Sequence, residues 1–284
     1  MWDKGLEIEL GYNNKIGDLN YSIKGNASFT KNEITDIGSN DHLVNATMQS
    51  SAYEVSRKVV GQPMNEFYGF KYLGVFQTQT EINAYTKEGV VIQPTAKPGD
   101  YKWLDVNNDG IINDLDRTWL GNPNPTFTYG FTLNLEYKGF DLVAFGQGVA
   151  GNKIFNELRR LDIPGANYLN SALGRWTGPG TSNSYARLVY GDLTNFGVPS
   201  QFYLENGAYF RLKTMQIGYS LPKSLTERIS IPKARVYVSG NNLLTLTKYE
   251  GFDTEIGGGQ GIYGIDRGVY PQARSFMAGL DITF

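Results

Sequence analysis

Residues 126–137 alternate without a break. The odd positions, Phe127, Tyr129, Phe131, Leu133, Leu135 and Tyr137, are large and apolar or aromatic. The even positions, Thr126, Thr128, Gly130, Thr132, Asn134 and Glu136, are small or polar. Successive side chains of a strand point to opposite faces, so this segment is predicted to be a strand with one apolar and one wet face. Strands of soluble sandwiches share the pattern but usually end after about five or six residues. A strand crossing a bilayer at a tilt of about 45° needs roughly 9–11. Phe127, Tyr129 and Tyr137 fall near the two ends of the apolar row, where interfacial aromatic girdles sit. The pattern therefore predicts a membrane β-barrel strand.

The same period of two recurs at 6–12, 19–29, 209–219, 234–241 and 274–284, and more weakly at 140–147, which makes seven strands in all. In 19–29 the wet positions include Lys24 and Asn26, acceptable in a hydrated lumen. In 209–219 Met215, Ile217 and Tyr219 share one face. Arg211 and Lys213 have the same parity, which places them beyond the lipid on that side. Leu243, Leu244 and Leu246 continue the face of Val236 and Val238. Links at 13–18, 138–139 and 222–232 are short; those at 31–125, 148–207 and 247–272 are long. In an antiparallel barrel alternate links lie on the same rim, so this alternation predicts periplasmic short turns, extracellular long loops and a periplasmic C-terminus. Within the long links the sequence predicts a short strand at 67–72, a helical turn near 80–87 and a helix at 154–161. Pro94, Pro98, Pro123 and Pro125 argue against long elements there.

Composition narrows the class. Among 284 residues there are 34 Gly, 19 Tyr and 15 Phe, with 19% charged residues, which favours β structure over helix. A net charge of −2 without basic blocks excludes a nucleic-acid groove. There is no Cys for disulfides or thiolate metal sites, and the single His42 is read as a solvated loop residue. No apolar run approaches the roughly 18 residues of a transmembrane helix, which leaves barrel strands untouched. The first residues, Met1-Trp2-Asp3-Lys4-Gly5, lack a signal-peptide layout, so a barrel reading implies a longer parent protein.

Several segments then fall into a familiar order. Gly61-Gln62-Pro63 precedes Phe67-Tyr68-Gly69-Phe70 and Gly74-Val75-Phe76-Gln77-Thr78. Lys97-Pro98-Gly99-Asp100, Asp105-Val106-Asn107-Asn108-Asp109-Gly110 and Asp116-Arg117 follow. Next come Gly121-Asn122-Pro123-Asn124-Pro125, Tyr129-Gly130 and Tyr137-Lys138-Gly139-Phe140-Asp141-Leu142. The series closes with Tyr209-Phe210-Arg211-Leu212-Lys213, Ile217-Gly218-Tyr219 and Val236-Tyr237-Val238-Ser239-Gly240-Asn241-Asn242-Leu243. Residues 1–284 thereby resemble the C-terminal barrel portion of a SusC/RagA-type TonB-dependent outer-membrane transporter. The resemblance implies a barrel of about 22 strands in the outer membrane of a Gram-negative bacterium. It also implies import of glycans or peptides with a SusD-like surface lipoprotein. The partners it implies are the TonB complex, the barrel assembly machinery and outer-membrane lipid. The plug and the TonB-contacting segment have no counterpart in residues 1–284.

Residues 105–116 fit a calcium loop. Asp105, Asn107 and Asp109 stand at positions 1, 3 and 5, Gly110 at 6 and the Ile111 carbonyl at 7. Asn113 stands at 9, with Asp116 in place of the usual Glu at 12 and Ile112 anchoring the loop to a core. An Asx turn held by side-chain-to-backbone bonds is the competing account. Trp103, Trp119, Trp176, Tyr168, Tyr263 and Tyr270 lie in the long links as candidates for stacking on sugars or docking a lid, against ordinary packing. Asp253, Glu255 and Asp266 lack any spacing that marks a hydrolase pair, and no enzyme is expected. The glycines of 257–261 have no phosphate-loop frame and read as a loop tip. Phe284, an aromatic closing the last apolar row, resembles the signal read by the barrel assembly machinery. The rival from another class is a secreted, calcium-stiffened β-sandwich module or adhesin.

Overall fold

The computed structural model describes the chain apart from residues 50, 161–162, 164, 191–193, 230, 258–261 and 284. Seven strands build one antiparallel sheet in sequence order: β1 Trp2–Ile16, β2 Leu19–Glu33, β3 Phe127–Tyr137, β4 Phe140–Ala150, β5 Tyr209–Ser220, β6 Lys233–Thr247 and β7 Ser275–Thr283. The sequence reading of seven long antiparallel strands is thus borne out. β1 and β2 run longer than expected, to 15 residues each, or roughly 50 Å at about 3.3 Å per residue. Their link shrinks to Gly17-Asp18. At Lys138-Gly139 both residues take positive φ, 47° and 89°, the requirement of a tight hairpin turn matched to strand twist.

Register aligns the two faces across the whole sheet. Tyr12 lies opposite Ile23, Ile23 opposite Leu133, Leu133 opposite Ala144, and Ala144 opposite Met215. The next row toward the short turns is Tyr21, Leu135, Leu142, Ile217 and Val238. Rings close the apolar face at both ends. Tyr137, Phe140 and Tyr219 lie at the short-turn end, and Phe29, Phe127, Tyr129 and Phe210 at the other. No second sheet covers this face among the described residues: Leu10 is 73% and Phe276 74% exposed.

Near the ring-rich end β4 presents only Ala144, Gly146, Gly148 and Ala150 to the apolar face. Neighbouring rings fill that gutter. Phe210 lies parallel to Phe131 and Tyr129 at 11°. A Cβ on Gly148 would sit 2.4 Å from Tyr129 Cζ and 2.5 Å from the Tyr209 carbonyl oxygen. The backbone contact cannot be relieved by turning a side chain. Gly148→Ala is therefore expected to destabilise the assembled barrel by about 1–3 kcal/mol, read as a lower urea midpoint in detergent. An unchanged midpoint would show that the gutter is not close-packed.

The three long links do not form separate loops. They fold together into one cap over the end of the sheet that they share. Its main core joins Met48, Val55 and Phe67 of the first link to Phe155 and Tyr203 of the second and Ile265 of the third. A second cluster packs Phe70, Tyr101 and Trp103 against Ala186 and Phe196. The strand Lys153–Asn156 pairs with Leu204–Asn206 and lies parallel to Ile265–Asp266, which stitches the second link to the third. This overturns the helix expected at 154–161. Ile154 and Phe155 project from opposite faces of a strand, and each face is buried in a different cluster. Consecutive apolar residues therefore do not signal a helix here. The expected helical turn is present as Gln79–Ala84, with the Thr78 side chain accepting from the Glu81 N–H. The strand expected at 67–72 divides into Glu66–Gly69 and Tyr72–Val75.

Candidate functional site

The polar face of the sheet carries charged side chains that cross between strands. Arg235 of β6 reaches over β5 to Asp141 of β4, with Nε 2.8 Å from Oδ1 and Nη2 2.6 Å from Oδ2, while Nη1 meets Asp281 of β7 at 2.9 Å. The guanidinium passes over Gly218, where a Cβ would lie 2.5 Å from Arg235 Nη2. One planar guanidinium thereby joins β4, β6 and β7 and spans β5.

At the other end a bulge redirects two cations. Phe145 faces Thr214 but Gly146 faces Leu212, so Lys213 is an extra residue in β5. One inserted residue reverses the faces of everything beyond it. Phe210 and Leu212 therefore join the apolar face, and Arg211 and Lys213 turn to the polar one. The placement of Arg211 and Lys213 on the side of Met215 is corrected accordingly. Arg211 donates from Nη2 to Asp253 Oδ1 at 2.7 Å and from Nε to Thr245 Oγ1 at 2.9 Å, and its Nη1 lies 2.9 Å from Glu255 Oε1. Lys213 Nζ meets the same Glu255 oxygen at 2.6 Å. The third link is thus latched to the inner wall. Burial alone would raise the Asp253 carboxyl. The Arg211 hydrogen bond and the Glu255 and Gln272 backbone N–H groups outweigh it, holding Asp253 below the ordinary carboxylate range.

The remaining sequence candidates separate by location. In 105–116, Asp105 accepts from the N–H groups of Asp109 and Gly110, Asn107 from Asp109, and Asp109 from Ile111. The exposed Asp109 carboxyl is held low by the Asn107 amide first and the Ile111 N–H second. Asp116 is fully buried and accepts from the Val106 and Asn113 N–H groups, both at 2.8 Å. Ile112 packs on the second cap cluster. Among the described residues no three His, Cys, Asp or Glu side chains converge on a metal position. Trp103 and Trp176 belong to cap packing, and Trp119 stands edge-on to Tyr68. Tyr168 and Tyr270 are exposed, and Tyr263 is half-buried. His42 is not simply solvated, since its Nε2 lies 3.2 Å from Glu54 Oε1. Asp253 and Glu255 are neutralised by Arg211 and Lys213. Asp266 accepts from the Tyr249 hydroxyl and two backbone N–H groups, so these carboxylates are engaged in packing. Phe284 and most of the glycine run at 257–261 lie outside the described residues.

No protein-family model matches the chain. Over 99% of its length it is 30% identical to TonB-dependent receptors P3 and P26 of Formosa agariphila, covering 28% and 29% of them. Over 94% of its length it is 25% identical to TonB-dependent receptor SusC of Bacteroides thetaiotaomicron, covering 25%. The chain thus spans under a third of the curated relatives it matches. Among solved structures, the RagAB peptide transporter aligns with a TM-score of 0.76 at 23% identity, over 99% of this chain and 29% of that one. The RagAB peptide importer in its open-open state aligns at 0.73 and 24%, over 99% and 28%. At such identities the structural match speaks for the fold. The curated relatives are named as receptors, not enzymes. The chain has the sequence likeness and the fold of a barrel segment of SusC/RagA-type TonB-dependent receptors.

Proposed function

We propose that this chain forms part of the barrel wall and extracellular cap of an outer-membrane importer for glycans or peptides. One observation carries the reading: a seven-stranded meander presents a ring-bordered apolar face to one side and a polar, ion-paired face to the other. Lipid covers the first face, and the second lines a lumen that a plug fills. The short turns are then periplasmic and the cap extracellular. The complete transporter would work with the TonB complex and be inserted by the barrel assembly machinery. A SusD-like lipoprotein has apolar anchors available on the cap, where Leu173 is 82% and Tyr190 92% exposed. A sandwich module, by contrast, needs a second layer over Leu10 and Phe276. The test is nutrient uptake by cells carrying or lacking the complete receptor, alongside fractionation of the envelope. Normal uptake without it, or a receptor recovered from the soluble fraction, overturns the proposal.

We also propose that 105–116 takes calcium through Asp105, Asn107, Asp109, the Ile111 carbonyl, Asn113 and Asp116. The donor types and the Asp105 carboxylate folded over the Gly110 N–H support it. Asp116 would share its oxygens between the ion and the Val106 and Asn113 N–H groups. Calorimetry on the complete receptor should give calcium-dependent heat that Asp105→Ala removes; no heat at millimolar calcium rejects the ion and leaves the Asx turn.

A further inference from the structure

Between the second and third links the cap holds a cleft of about 280 Å³, bordered by Asn156, Arg159, Tyr185, Phe202, Glu205 and Lys248. That volume lies near the lower end of the roughly 300–1,000 Å³ found for small-ligand sites. Two charges of opposite sign are fixed on its wall. Glu205 Oε1 accepts from Asn156 Nδ2 at 2.6 Å, and Oε2 accepts from the Glu250 N–H at 2.8 Å. Both donors are neutral, so the carboxylate is oriented without being neutralised. The Arg159 guanidinium lies against the Tyr168 ring, 3.7 Å from its centroid, and its Nε is buried with no hydrogen-bond partner. Lys248 and Glu250 add a second charge of each sign at the rim. Among the described residues, the ion pairs of the cap involve none of these four groups.

A ligand that carries an anion and a cation answers both fixed charges at once. The bordering rings are engaged edge-to-face with one another, Tyr185 with Phe202 at 84° and Phe202 with Tyr203 at 81°. They offer an apolar floor for a side chain rather than an open ring face for a sugar. We propose that this cleft binds a small zwitterion, an amino acid or short peptide with free termini. Its ammonium meets Glu205 and Glu250, its carboxylate meets Arg159 and Lys248, and its side chain rests on Tyr185 and Phe202.

The inference rests on the importer reading and assigns that importer a ligand class. The test is calorimetry on the complete receptor in detergent with Ala-Phe-Ala, the same peptide acetylated and amidated, and a neutral oligosaccharide. The free peptide should bind at least about tenfold more tightly than the blocked one. Glu205→Gln and Arg159→Leu should each remove most of that difference, with the receptor still migrating as a folded barrel. Equal binding of the blocked peptide, oligosaccharide binding that depends on Glu205 and Arg159, or a folded receptor that binds no peptide would each overturn the proposal. If that receptor still supports uptake in cells, the importer reading stands without the zwitterion site. If it supports none and is absent from the outer membrane, the importer reading itself fails.

Discussion

Leu133→Arg is expected to destabilise the barrel by about 2–4 kcal/mol, whereas Asn134→Arg, one residue along, should be close to neutral. Leu133 sits in the middle of the apolar face between Ile23 and Ala144, midway between the two groups of rings. A guanidinium there must leave water for hydrocarbon, and its chain is too short to reach either interface without thinning the bilayer. Asn134 lies between Ser22 and Val143 on the polar face, where added charge stays hydrated. Tyr137→Arg supplies the depth control, because the cost of a charge falls to about 0–1 kcal/mol near the interface. Urea unfolding of the complete receptor in lipid vesicles measures all three. Equal costs at 133 and 134, or no fall from 133 to 137, would mean that no bilayer covers this face.

The strands were legible because their information is local and repeated. Each long strand shows a period of two over enough residues to fix its faces, and the short and long links alternate in the sequence itself. The bulge at Lys213 was legible in principle. Phe210 and Leu212 are apolar at even positions, while Met215, Ile217 and Tyr219 are apolar at odd ones, and only an inserted residue reconciles the two. The cap was not legible. Its strands run two to five residues, and its core joins Val55, Phe155 and Ile265 from three separate links. Such short elements have no measurable period, and chain order does not say which links meet. The same limit hid Glu205 and Arg159, which lie in the second link: Glu205 acquires its setting from Glu250 in the third, and Arg159 from Tyr168 in an irregular stretch of its own link. The 105–116 spacing was visible, but side-chain-to-backbone bonding and metal ligation use the same residue types, so sequence alone keeps both accounts open.

Arg211→Ala should loosen the third link by about 3–5 kcal/mol, the usual cost of removing one partner of a buried ion pair. Arg211 and Asp253 retain only 5% and 3% side-chain exposure. Truncation leaves the Asp253 carboxylate buried with the Glu255 and Gln272 N–H groups but without its cation, and frees Glu255 from one of its two. The effect should be local, because the wall pairing of β5 with β4 and β6 does not depend on this side chain. Hydrogen exchange should accelerate across 247–272 while β3 and β4 stay protected. The double variant Arg211→Met/Asp253→Leu should recover much of the loss, since no uncompensated charge remains. The pH response has a definite sign. The folded state binds the Asp253 proton more weakly than the unfolded chain, whose aspartates titrate near 3.9. The stabilisation is therefore complete above about pH 4 and fades as pH falls through the lower folded-state value. Protection of 247–272 should stay level between neutral pH and pH 5, then drop under more acidic conditions in the native receptor but not in the double variant. A native receptor whose third link keeps full protection after Arg211→Ala would show that the cap core alone holds that link in place.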